Sequence, residues 1–73
     1  MTELVKYIVT ALVDDKEQVS VTEDGDVVVV KVAKDDIGKI IGKQGRIIKS
    51  IRSVVKAASG KLGKNYSVEI DED

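Results

Sequence analysis

The sequence predicts a small α+β domain with its elements in the order α-β-β-α-α-β, occupying residues 1–73 as one unit. Three observations lead there. Valine, isoleucine and leucine make up 24 of the 73 residues, enough for a packed core, and 21 of these are β-branched. Helical apolar spacing marks the two ends of the chain's first sixty residues, and alternating apolar runs lie between and after them. A two-residue hairpin signal, Asp24-Gly25, joins two of those runs.

Each element follows from its residues. Residues 3–13 read as a helix with Thr2 as its N-cap. Leu4, Ile8, Ala11 and Leu12 share a face that Val5 and Val9 widen, and Asp14-Asp15 end it. Val19 and Val21 alternate with polar neighbours, a half-buried strand over about 17–23. The run 27–33 is a longer strand, apolar enough to be buried on both faces for part of its length. The tight turn makes these strands antiparallel neighbours. Asp35 or Asp36 can cap a short helix running through Ile41. A second helix extends from Gly45 or Arg46 to Ser59. Ile47, Ile48, Ile51, Val54, Val55 and Ala58 occupy one arc of its wheel, and Arg46, Lys49, Arg52 and Lys56 the opposite one. Gly60 stops it as a C′ residue would. Residues 60–65 form a loop and 66–70 a final strand.

Composition removes several classes of function. The chain has no Cys and no His, so disulfides, thiolate metal sites and the commonest general base are absent. No apolar run approaches the eighteen or so residues of a membrane span. The expectation is a cytoplasmic protein without a membrane segment. The carboxylate pairs Asp14-Asp15, Asp35-Asp36 and Asp71-Glu72-Asp73 fall at element ends, where capping or solubilising roles are expected, not catalysis. No metal or other cofactor is expected.

The net charge of −1 conceals a segregation. Residues 1–36 carry a net −5. Residues 37–68 hold eight basic side chains and no acidic one, and the last five residues add four acids. A solvated face ordinarily mixes both signs, so an acid-free basic segment points to a polyanion. Within it, Gly42-Lys43-Gln44-Gly45 separates two apolar helical segments. It is not a P-loop, which needs four residues between its glycines followed by Lys and Ser or Thr. Nor is it a dinucleotide fingerprint, because no strand enters it. It is a helix–Gly-x-x-Gly–helix turn. Glycine lets a backbone approach closely, and the following helix offers free N–H groups at its positive end.

Ile40-Ile41-Gly42-Lys43-Gln44-Gly45-Arg46-Ile47-Ile48 resembles the Ile-Gly-x-x-Gly-x-x-Ile signature of KH domains. Over nearly its whole length the chain resembles the KhpA family of small, single-domain bacterial KH proteins. That resemblance implies a type II KH fold, with three helices packed on one face of a three-stranded mixed sheet. It implies single-stranded RNA as ligand, about four nucleotides held between the Gly-x-x-Gly side and the last strand. An RNA chaperone or post-transcriptional regulator is the expected role, with a part in cell-envelope or cell-shape homeostasis. Partners implied are a second copy and a larger KH protein of the KhpB, Jag or EloR kind. Gly42, Lys43, Gln44 and Gly45 would meet the sugar–phosphate backbone, with Lys39, Arg46 and Lys49 neutralising phosphates. Ile37, Ile40, Ile41, Ile48 and Val68 would floor an apolar groove for bases, beside Tyr66 and Ile70. The competing readings are a protein-interaction adaptor with little RNA affinity and a DNA-binding helix-turn-helix. The latter needs base-reading polar groups where Ile47 and Ile48 stand.

Overall fold

The computed structural model describes residues 1–72. Helix α1 spans Thr2–Leu12, strand β1 Ser20–Asp24, β2 Val27–Lys31, α2 Ile37–Ile41, α3 Arg46–Lys61 and β3 Ser67–Ile70. Single 3-10 turns occupy Lys16–Gln18, Lys34–Asp36 and Lys43–Gly45. The sheet runs β1-β2-β3, with β1 antiparallel and β3 parallel to β2. A parallel return needs a long crossover, which α2 and α3 supply. Among the described residues no helix is long and apolar enough to cross a membrane.

The pleat's period of two sorts the strands. Val28 and Val30 lie beneath the helices, opposite Glu23 and Val21 on one side and Val68 and Ile70 on the other. Val27 and Val29 are only half-buried. The expectation of a strand covered on both faces fails because all three helices pack on the same face. Core side chains come from every helix: Val5 and Val9 of α1, Ile40 of α2, and Ile48, Ile51 and Val55 of α3. On α1 the buried stripe is therefore centred on Val5 and Val9. Leu4, Ile8 and Leu12 flank it half-buried, and Ala11 is exposed.

Element ends differ from the sequence reading in instructive ways. Thr2 lies inside α1, whose N-cap is Met1. Asp24 pairs with Val27, so the hairpin turn is Gly25-Asp26, one residue later than expected. Gly25 has φ +62°, and Asp26 has no positive φ, the pattern of a type II′ turn. Helix α3 runs through Gly60 and ends in a Schellman motif. The Lys64 N–H reaches the Ser59 carbonyl at 2.9 Å and the Gly63 N–H the Gly60 carbonyl at 3.1 Å. Gly63, with φ +70°, is the C′ residue.

Asp36 makes the tie that positions α2. It occupies the N-cap position of α2 but accepts no capping bond from that helix's backbone N–H groups. Its carboxylate, 3% exposed, turns back to accept the N–H groups of Asp14 at 3.3 Å and Asp15 at 3.0 Å. Lys39 donates to it at 3.3 Å and also pairs with Asp14. The bond from the Asp15 N–H holds the Asp36 carboxyl below its ordinary pKa, against the opposing effect of burial, with Asp14 and Lys39 adding to the depression. The bond to Asp14 raises the Lys39 ammonium. A depressed carboxylate stabilises the fold above its unfolded pKa, and that contribution disappears as pH falls through the folded value. Asp36→Asn should therefore lower the melting temperature at neutral pH. It should also remove the part of the wild-type stability loss that falls below about pH 4, as read from melting curves across the acid range.

Candidate nucleic-acid interface

The turn between α2 and α3 owes its shape to two glycines that serve different needs. Gly42 has φ +73° and ψ 177°, and a Cβ there would lie 2.6 Å from Ile47 Cγ1. Glycine is required both by the left-handed backbone and by the side chain packed on it. Gly45 has φ +72°, and a Cβ there would meet Ile48 Cγ2 at an ordinary 3.9 Å, so only its backbone angle demands glycine. Between them Gln44 is also left-handed, at φ 56° and ψ 24°, a conformation that costs a side-chain-bearing residue energy. The chain is thereby folded sharply enough to leave Lys43 and Gln44 exposed at the tip, and Arg46 donates to the Gln44 side chain at 3.3 Å.

Helix α3 begins at this turn with no side-chain cap and no acid in its first turn. Helices ordinarily place acids there to complement the positive end, whereas this one places Arg46. Along α3 three flanks separate. Ile48, Ile51, Val55 and Ser59 are buried. Ile47, Ser50 and Val54 face α1, where they line an open apolar groove with Ile8, Leu12 and Ile51. Val54, assigned to the core arc by its spacing, is 45% exposed at this margin. Lys49, Arg52 and Lys56 are exposed, and the last two line a pocket with Tyr66, Ser67, Val68 and Glu69 of the β3 side. Among the described residues none of Lys43, Arg46, Lys49, Arg52 or Lys56 takes part in a salt bridge. A continuous run of unneutralised cations therefore leads from the glycine turn along the side of α3 next to β3.

The expected site residues divide accordingly. Gly42, Lys43, Gln44, Gly45, Arg46 and Lys49 come together at the turn and the start of α3. Lys39 does not join them as a free cation, because it is one turn from Asp36 and is drawn into the pairs with Asp36 and Asp14. Of the apolar floor, Ile40 has no exposed surface, Val68 is 3% exposed and Ile48 7%. These three side chains belong to the core, where α2 packs on α3 and α3 on β3. Ile37 and Ile41 are half-buried and retain surface. Tyr66 packs against the core, donates its hydroxyl to Glu23 at 3.4 Å and lies under Lys64, whose Nζ is 5.7 Å from the ring centroid. Arg52 and Lys56 were legible as cations on the outer arc. Their place beside the last strand was not, because the wheel does not say which element stands on which side.

A family model described as the KH domain of KhpA/KhpB matches residues 2–70. The RNA-binding protein KhpA of Clostridium perfringens is 50% identical, the alignment covering 96% of this chain and 99% of that one. KhpA of Listeria monocytogenes is 45% identical over 99% of this chain and all of the relative, and that of Treponema pallidum 39% identical over 93% and 90%. No solved structure matches the chain. The element order and the mixed three-stranded sheet are those of a type II KH domain, and the chain belongs to the KhpA/KhpB KH family.

The two glycines should differ in tolerance. Gly45→Ala should cost about 1–2 kcal/mol, the penalty of a left-handed side-chain-bearing residue. Gly42→Ala should cost more, since Ile47 must also move. Urea unfolding of both variants checks the order.

Proposed function

We propose that this protein is a cytoplasmic RNA-binding module, not a catalyst, and that it holds about four nucleotides of single-stranded RNA across the Gly42–Gly45 turn and the α3–β3 side. The observation that carries the reading is the acid-free run of unpaired cations starting at that turn. Backbone phosphates lie against Gly42 and Gly45, and Lys43, Arg46 and Lys49 neutralise them. The positive end of the α3 dipole adds to their attraction. Half-buried Ile37 and Ile41 supply the remaining apolar surface of the groove. The names of the relatives support RNA as the polyanion. The role that follows is that of an RNA chaperone or post-transcriptional regulator, with cell-envelope or cell-shape homeostasis as the process served.

Lys43→Asp with Gln44→Asp should abolish RNA binding while circular dichroism and melting temperature barely change. Retained affinity would defeat the assignment. In the wild type, three to five neutralised phosphates give a slope of log K against log salt of about −2 to −3.5. Arg46→Ala or Lys49→Ala should each flatten it by somewhat less than one.

A groove reading so few nucleotides gains useful affinity when two act together, since linkage raises avidity by about 10² to 10⁴. We propose a second copy as the partner. The apolar groove of Ile8, Leu12, Ile47 and Val54 supports this, because it lies on the flank of α3 away from the cations and leaves them open when covered. A larger KH chain of the KhpB kind is the alternative occupant, as the shared family model suggests. Light scattering at micromolar concentration should show a dimer that Val54→Asp converts to a monomer. A strictly monomeric wild type would exclude self-pairing.

A further inference from the structure

Strand β3 is an edge strand, and its outward-facing backbone groups are those of Val68 and its even-numbered neighbours. The Ser67 and Asp71 N–H groups bond inward to Asp26 and Val30. The outward carbonyl of Val68 is not open. Arg52, reaching across from α3, donates Nε–H to it at 3.3 Å. That bond tethers the guanidinium to the strand edge through Nε–H and leaves the two terminal nitrogens as the remaining fork. Among the described residues the two terminal nitrogens of Arg52 have no other hydrogen-bond partner. They stand at a pocket of about 380 Å³ whose lining is Arg52, Lys56, Tyr66, Ser67, Val68 and Glu69. That volume falls in the range of roughly 300–1,000 Å³ typical of small-ligand sites. Lys56 adds a second cation and Glu69 an acceptor that is not ion-paired with Arg52.

Two parallel N–H donors in a fixed plane match two adjacent acceptors on a planar edge. Guanine offers O6 and N7, and cytosine, unpaired, offers O2 and N3. The Watson–Crick and Hoogsteen edges of adenine each set a donor amino group beside one acceptor, its sugar edge offers the single acceptor N3, and uracil places N3–H between its two carbonyls. We propose that Arg52, held by the Val68 carbonyl, is a base-reading residue that selects guanine or cytosine over adenine and uracil at the α3–β3 pocket. The inference rests on the RNA-binding reading above and assigns it a specificity that the phosphate contacts at the glycine turn lack.

The test is fluorescence anisotropy with short oligouridine and with the same oligomer carrying cytosine, guanine or adenine at its central positions. The wild type should bind the cytosine and guanine forms at least about fivefold more tightly than the uridine and adenine forms, the lower end of one bidentate contact. Arg52→Lys keeps the charge and can still bond Val68, but it has no planar fork. It should bring those ratios below about twofold while leaving the salt slope unchanged. Equal wild-type affinity for all four oligomers overturns the inference and leaves RNA binding standing. A preference that survives in Arg52→Lys overturns it too. Failure to bind any oligomer overturns both this inference and the reading beneath it.

Discussion

A single buried carboxylate organises the approach to the candidate site. Asp36 accepts the N–H groups of Asp14 and Asp15, and so joins the end of α1 to the start of α2. Those N–H groups lie beyond the last turn of α1 and would otherwise need other partners. Helix α2 has only five residues, too few to be stable by itself. Its direction is set by this anchor at one end and by Ile40 in the core. At its other end stands Gly42, against which Ile47 packs. The Gly-x-x-Gly turn is thus suspended between a charged tie and a close apolar contact.

The charge segregation of the sequence acquires a physical division of labour. In the first half, Asp36, Asp14 and Glu23 are engaged within the fold, Glu23 with the N-terminal ammonium at 3.5 Å and with Tyr66. Lys39, although it lies in the basic segment, is drawn into that structural set. Among the described residues the remaining cations of the turn and of α3 form no salt bridge. Such an arrangement destabilises the isolated domain slightly by self-repulsion and by placing Arg46 at a positive helix end. A bound polyanion relieves both.

Much of this was legible in the sequence because the signals were local. The order of elements, the hairpin, the Gly-x-x-Gly turn and the amphipathic α3 each follow from spacing over a few residues. What escaped depended on which element stands beside which. Ile40 and Val68 are apolar in either a groove or a core, and only the packing of α2 on α3 and of α3 on β3 decides for the core. Val54 has the same period as Val55 but lies at the margin towards α1. The fate of Lys39 turned on Asp14, 25 residues earlier in the chain. The end of α3 was missed for a different reason. Gly60 and Gly63 compete as stop signals, and the hydrogen bonds of the Schellman motif choose the second.

The contact between Arg52 and the Val68 carbonyl also bears on how so small a sheet guards its edges. A three-stranded sheet has two open edges, and an unguarded edge is a template for strand addition by another chain. The β1 edge carries Glu23 and Asp24, charges that resist docking of a further strand. Of the four residues of β3 only Glu69 is charged, and a further guard comes from α3. Arg52 provides it from outside by occupying an outward acceptor and setting a cation against the strand. An incoming strand would have to displace that bond and bury the charge, so the edge is denied to aggregation while a planar ring remains able to approach it.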